Sequence, residues 1–294
     1  MKKFLKLLFW LILIGVVLYT VSDRYDLRSF IFVPSKASQE EREQDFINQI
    51  RLEMLKGSSR IELKFIGKVE DMEWFTKDAI DRAYAIDDPS TSGDFDYLRY
   101  KISSINAHIV GFGNRLTVTY EFEYNETVEE TAIVDEKISR LFAQWKINEL
   151  SDYEKIKKIH DFIIENAVYD TDTEHYSAYD NLINKRSTCQ GYMSLAYKMF
   201  TEAGIPCRII TGMGNNDSHG WNIVELDGKW YNIDCTWDDP VTNDGKNIST
   251  YDFFLKSDED FVDHVRDEEF RSKEFYSKYV MSRVSYEQDF RILP

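Results

Sequence analysis

The sequence predicts an α+β protein with an antiparallel sheet, and three observations carry that prediction. A helix-periodic run follows Cys189, two alternating runs meet at Asp227-Gly228, and a β-α-β-β succession lies ahead of both.

Taken in order, the chain begins with Lys2, Lys3 and Lys6 ahead of Leu7–Val21, fifteen residues without a charge. Counted from Phe4, with Lys6 snorkelling, the segment reaches eighteen residues, near the lower limit for a bilayer span. Residues 1–22 are therefore expected to be a transmembrane helix, with the basic flank holding the N-terminus inside and the rest of the chain outside. Secretion after signal cleavage is the alternative. No A-x-A site follows, only Thr20-Val21-Ser22, which favours an anchor at the cell membrane. The first cysteine is Cys189, so there is no lipobox.

Residues 23–57 read as a polar stalk or helical arm, with a helix over Gln39–Leu55 that sets Phe46, Ile47, Ile50 and Met54 on one face. Residues 58–146 read as a small α/β unit. It has a strand over Arg60–Ile66, a helix over Asp71–Ile86, and a hairpin of Lys101–Val110 and Leu116–Tyr124 around Gly111, Gly113 and Asn114. Such a unit is too short to be a typical enzyme by itself. A helix over Glu126–Ile147 leads into the remaining part, residues 147–294.

In that part, Tyr192, Leu195, Ala196, Met199, Phe200 and Ala203 recur at helical spacing. Gly204 is a natural stop and Pro206 cannot extend the helix. Ser187 and Thr188 offer N-cap hydroxyls, so Cys189 falls at the helix N-terminus. Free N–H groups and the positive dipole end favour a thiolate there, and the same N–H groups could hold an oxyanion. His219–Leu226 and Lys229–Thr236 read as strands, joined by Asp227-Gly228 as a two-residue type I′ turn. That turn pairs Leu226 with Lys229, Trp221 with Asp234 and His219 with Thr236. Alternation then puts all four of the latter on one face and turns Cys235 away. Asp234 becomes the diagonal neighbour of His219, within side-chain reach. A turn one residue longer or shorter would put it on the opposite face. A thiol, an imidazole and a carboxylate so placed are the parts of a nucleophile, its base and the group that orients the base.

Composition bounds the partners. The formal net charge is −16, and with the three N-terminal lysines set aside it is −19, which argues against nucleic acid and anionic lipid surfaces. An acidic surface slightly favours basic or amine-bearing substrates, although solvation explains it as well. At 43% hydrophobic and 15% aromatic, the chain can build proper cores, and three cysteines rule out a disulfide-dense scaffold. Five prolines and no low-complexity run argue against long disordered linkers.

The stretch SAYDNLINKRSTCQGYMSLAYKMFTEAGIPCRIITG, followed by HGWNIVELDGKWYNIDCTWDDP, resembles the transglutaminase-like core of the papain-like cysteine enzymes, closest to bacterial membrane-anchored or secreted versions. The resemblance runs from about Ser151 to Phe270, including EKIKKIHDFIIENAVYD and YDFFLKSDEDFVDH. It rests on C-Q-G-Y, H-x-W-N and W-Y-N-I-D-x-T-W-D-D-P in that order. It implies Cys189 as nucleophile, His219 as base and Asp234 as orienter, on a core with a helical part followed by an antiparallel sheet. Gly220 departs from the family, which more often has Ala after the histidine. The family spans protein cross-linkers, peptidases, amidases and members with no known activity, so a protein or a cell-wall peptide is the expected substrate. No cofactor and no metal are expected.

Other residues rank lower. Gln190 and Tyr179 are candidates for an oxyanion hole, and Trp221 and Trp237 either line the cleft or pack beside it. Cys207 begins the strand before the His219 strand and Cys235 ends the strand on its far side, at opposite ends in the antiparallel order, so both are expected as free, buried thiols. His160, with Ile156, Ile159 and Ile163, reads as a packed or capping histidine. His264 recurs in the family's tail, which implies a structural role. Asp170, Asp172, Glu174 and His175 form an acidic loop, and Asp238–Gly245 has the composition of a calcium loop without its pattern. The expected chemistry is attack of Cys189 on an amide carbonyl, giving a thioester that water or an amine resolves. The alternative is a non-catalytic extracellular binding module that keeps the cleft for a peptide or a cell-wall strand. A purely structural sensor ectodomain fits less well.

Overall fold

The computed structural model describes residues 37–240 and 250–286. The expected anchor (1–22), stalk residues 23–36 and residues 241–245 of the calcium-like loop lie outside the described residues. Among the described residues no helix is long and apolar enough to cross a membrane.

Helix α1 spans Gln39–Leu55, and its expected face, Phe46, Ile47, Ile50 and Met54, is buried. These side chains pack on a three-stranded antiparallel sheet in the order β1-β3-β2, made of β1 (Arg60–Ile66), β2 (Ile102–Phe112) and β3 (Arg115–Tyr124). Burying each such side chain contributes about 1.5–3 kcal/mol, which gives this unit a core of its own. Helix α2 (Met72–Tyr84), N-capped by Asp71, covers the same core with Phe75, Ala79, Ile80 and Ala83. The short helix α3 (Phe95–Lys101) was not expected from the sequence. The Pro, Ser, Thr and Gly residues of positions 89–93 just ahead of it read as loop, and only tertiary contacts hold so short a helix. The contacts are identifiable: Asp96 accepts from Arg208 Nε at 2.7 Å and from the Ile209 N–H at 2.8 Å, which ties α3 to the sheet that carries His219.

Helix α4 (Val128–Trp145) starts with a capping box of Thr127 and Glu130, and α5 (Asp152–Asn166) with one of Ser151 and Glu154. A short parallel pair, β4 (Val168–Tyr169) with β5 (Arg186–Ser187), frames the entry to α6 (Cys189–Glu202). Gly204 follows α6 with φ +80°, the left-handed stop that the sequence announces.

The second sheet has the order β8-β7-β6-β9, all antiparallel, from β6 (Cys207–Gly214), β7 (Asp217–Leu226), β8 (Lys229–Ile233) and β9 (His264–Arg266). Asp227 and Gly228 have φ of 52° and 72°, as a type I′ turn requires, and Leu226 pairs with Lys229 in the expected register. One face of this sheet, with Ile209, Val224 and Ile233, joins the core that contains α6. The opposite face, with Ile210, Trp221 and Ile223, packs on Phe261, Phe270 and Phe275; Phe275 lies on α7 (Lys273–Lys278).

The ladder corrects one expectation. It ends at Asn222↔Ile233, so His219 has no strand partner at Thr236. The cause is Asp234 itself, whose Oδ1 accepts from the backbone N–H of Thr236 at 2.8 Å and of Trp237 at 3.2 Å. An aspartate that bonds the backbone two and three residues on turns the chain out of a strand.

Candidate active site

Cys189 is the first residue of α6 and is half-buried. Thr188 occupies the N-cap position, but its side chain makes no capping bond, and its buried hydroxyl has no partner among the described residues. Ser187 is no cap either, because its hydroxyl accepts from Asn181 Nδ2 at 2.8 Å. The side-chain capping expected from the sequence is therefore absent; the Gly191 and Tyr192 N–H groups donate to the Thr188 carbonyl at 3.0 and 3.3 Å, which leaves those of Cys189 and Gln190 to face an anion at the thiol. Gly191 allows this close approach, since a Cβ there would lie 2.4 Å from Ser187 Cβ and 2.7 Å from the Ser177 carbonyl oxygen.

His219, on β7, has its Nε2 2.7 Å from Asp234 Oδ2. That leaves Nδ1 as the ring nitrogen not engaged by Asp234, and the Cys189 side chain lies near enough to act on the imidazole. Burial opposes a charge on the imidazole, but Asp234 and then Cys189 outweigh it and push His219 up to about 10. Burial likewise works against the Asp234 carboxylate, yet His219 and His264 hold it down to about 2. The pair is thus an imidazolium and a carboxylate over the neutral pH range.

The surroundings fix the imidazole ring. Trp237 stacks on it with centroids 5.2 Å apart, and Trp221 lies 6.1 Å away in a similar plane. The two tryptophans separate in role. Trp237 lines a cleft of about 400 Å³ together with Tyr169, His219, Asp239 and Phe253. Trp221 is buried beneath, and its Nε1 donates to Asn232 Oδ1. Gly214 leaves room for this packing, because a Cβ there would meet Trp237 at 2.9 Å and His219 at 3.0 Å. Gly220 has a physical reason too: a Cβ there would meet Met193 Sδ at 2.3 Å, so the glycine makes space for a methionine from α6.

Gln190 and Tyr179 stand differently from the expectation. The Gln190 amide donates to the Tyr100 carbonyl at 2.8 Å, so one of its N–H groups clasps the N-terminal unit. Tyr179 donates its backbone N–H to Glu126 and packs its ring on the helical core, and its hydroxyl makes no hydrogen bond to the site among the described residues. The residue that sequence reasoning underrated is His264. Its Nε2 lies 3.1 Å from the same Asp234 Oδ2 that bonds His219. The hairpin register could not locate it, because β9 pairs on the far side of β6.

The remaining candidates are accounted for. All three cysteines are free, with Cys207 and Cys235 buried and their thiols pushed well up by burial. Asp170 gathers the acidic loop, accepting from the N–H groups of Asp172, Glu174 and His175, from His175 Nδ1 and from Arg186 Nε, which leaves its oxygens well occupied. Among the described residues, the group close enough to share a metal ion is His219, Asp234 and His264, with donor atoms within 4.8 Å of one another. In the observed geometry both histidines direct those nitrogens at the carboxylate as hydrogen-bonding groups.

Residues 141–235 match the family model described as the transglutaminase-like superfamily. Kyphoscoliosis peptidase of Mus musculus is 28% identical over 105 residues, 30% of this chain and 16% of that protein. The Homo sapiens protein is 26% identical over 132 residues, 39% of this chain and 19% of its own length. The chain therefore spans less than a fifth of these relatives. Among solved structures, a TGase is similar at a TM-score of 0.34 and 15% identity, covering 66% of this chain and 57% of that one. The periplasmic domain of TgpA from Pseudomonas aeruginosa is similar at a TM-score of 0.28 and 14% identity, covering 42% and 55%. Residues 141–235, which hold Cys189, His219 and Asp234, are thus a transglutaminase-like domain by the family model they match.

Proposed function

We propose that this chain is a cysteine-dependent acyl-transfer enzyme acting on amide bonds, with Cys189 as nucleophile, His219 as acid–base and Asp234 as orienter. One observation carries the reading: His219 bonds Asp234 at 2.7 Å through Nε2 while its other side meets a thiol at an uncapped helix N-terminus. The Cys189 thiolate attacks the carbonyl carbon of the amide, and the backbone N–H groups of Cys189 and Gln190 receive the oxyanion. His219 gives its proton to the departing amine as the C–N bond breaks, leaving a thioester on Cys189. Water or a second amine then loses a proton to His219 and attacks the thioester. The C–S bond breaks and the thiolate is restored. Water makes the enzyme a peptidase or amidase, and an amine makes it a cross-linker.

The substrate in this reading is a protein or a cell-wall peptide outside the cell, because Lys2, Lys3 and Lys6 ahead of Leu7–Val21 suit a membrane anchor. Fractionation of expressing cells checks the location: the chain should stay with membranes and be open to protease added outside. For the chemistry, the full chain is incubated with casein and a fluorescent primary amine. New amino termini or incorporated amine are expected, and Cys189→Ala should abolish both. Product formation equal in the two proteins would contradict the mechanism.

A further inference from the structure

His264 stands on β9, away from the hairpin that supplies His219 and Asp234, yet its side chain is only 1% exposed and ends on the same carboxylate oxygen. Its Nε2 is 3.1 Å from Asp234 Oδ2, and its Nδ1 is 3.0 Å from the Val262 carbonyl oxygen. Both partners are acceptors. A neutral imidazole has one N–H, so it would set a lone pair against one of these two oxygens. A ring with N–H at both positions satisfies both. The walls agree with a cation. The ring centroids of Phe261, Trp237, Trp221 and Phe253 lie 3.9, 4.1, 5.0 and 5.4 Å from that of His264. Aromatic faces attract a cation at such distances. The other charged or titratable neighbours are His219, with its ring centroid 5.5 Å away, and, around the cavity of about 230 Å³ that His264 also lines, Asp258, Arg266, Arg271 and Tyr276.

Resting on the acyl-transfer reading of Cys189, we propose that His264 is a positioning residue: a second imidazolium, caged by aromatic rings, that pins Asp234 Oδ2 toward His219 and takes up part of its charge. The consequence is chemical. A carboxylate devoted to one histidine would hold that histidine's proton too firmly. Shared between two, Asp234 still orients His219 but lets it release the proton to a departing amine and take one from the second nucleophile.

The first test needs no variant. In the full chain labelled with ¹⁵N, both ring nitrogens of His264 should resonate in the protonated range at pH 7. One nitrogen in the unprotonated range would overturn the proposal. The second test reads the pH profile of Cys189 alkylation by iodoacetamide. His264→Gln keeps a donor without the charge, so the inflection from His219 should move up by about half a pH unit or more. His264→Leu loses the donor as well, and alkylation at pH 7 should fall at least about tenfold below His264→Gln. An unmoved inflection in His264→Gln, or equal rates in the two variants, would reduce His264 to packing. These outcomes are distinct from failure of the acyl-transfer reading, in which His219→Ala would leave the profile of Cys189 unchanged while the ring nitrogens of His264 still report its charge.

Discussion

Two histidine–carboxylate pairs share one turn of this chain. His219 bonds Asp234 at 2.7 Å, and His160 bonds Asp238 at 3.0 Å, with Asp234 and Asp238 joined by a backbone bond from the Asp238 N–H to the Asp234 carbonyl. The chemical parts are the same, but the settings are not. His219 borders the cleft and meets the Cys189 side chain. His160 and Asp238 are both 0% exposed, and His160 packs between Tyr251 and Phe254. Its Nδ1 lies 3.6 Å from Asp161 Oδ1, beyond hydrogen-bond distance, and has no hydrogen-bond partner among the described residues. Burial opposes its charge, and the Asp161 and Asp238 carboxylates hold it above the usual histidine range all the same. A histidine with a carboxylate is thus a fastening when sealed, and part of a machine when a nucleophile and a cleft adjoin it.

That contrast yields experiments that could erase it. The largest effect should come from His219→Ala, which is expected to slow Cys189-dependent turnover by about 10³-fold or more. A comparable loss of activity in His160→Leu, with stability intact, would abolish the distinction between the pairs. Asp234→Asn should lower the rate by about 10²–10⁴-fold, because the amide no longer fixes the imidazole with a charge. Full activity in that variant would mean that the hairpin register selects the wrong partner.

The sealed pair should answer in stability. His160→Leu leaves Asp238 buried beside no cation and is expected to cost about 3–5 kcal/mol in urea unfolding. A loss under about 1 kcal/mol would show that the pair fastens nothing. The reverse holds for pH. The folded state keeps a proton on His219 up to about 10, whereas the unfolded chain releases it near 6.5. Stability from this group is therefore full below about 6.5 and is lost as pH rises toward 10. At the acid end, Asp234 is held down to about 2, so its contribution is present above about 3.9 and fades as pH falls toward 2. The decline of melting temperature between pH 6.5 and 10 should be shallower in His219→Ala. The smallest effect is expected of Trp237→Ala, which removes a ring stacked on His219 at 5.2 Å and should lower the rate about tenfold.

The hairpin shows how much of this was open to reading from the sequence. Asp227-Gly228 sets the register, and the register sets His219 beside Asp234, because turn chemistry and strand alternation are local rules. The same rules misplace the end of β8, because they do not weigh the side chain of Asp234 bonding the N–H groups of Thr236 and Trp237. Helix α6 and its Gly204 stop follow from periodicity, whereas the missing cap at Thr188 needs the surrounding fold. Helix α3 and the placement of His264 escape for one reason. Both depend on partners far along the chain, Asp96 with Arg208 and His264 with Asp234, and no local spacing encodes such pairs.

The central claim is that Cys189 is a nucleophile served by His219. The most direct test is the rate of Cys189 alkylation by iodoacetamide from pH 5 to 11, in the full chain and in His219→Ala. A change in labelling near pH 10 as His219 loses its proton, absent in His219→Ala, is the expected result. A profile identical in the two proteins would contradict the account.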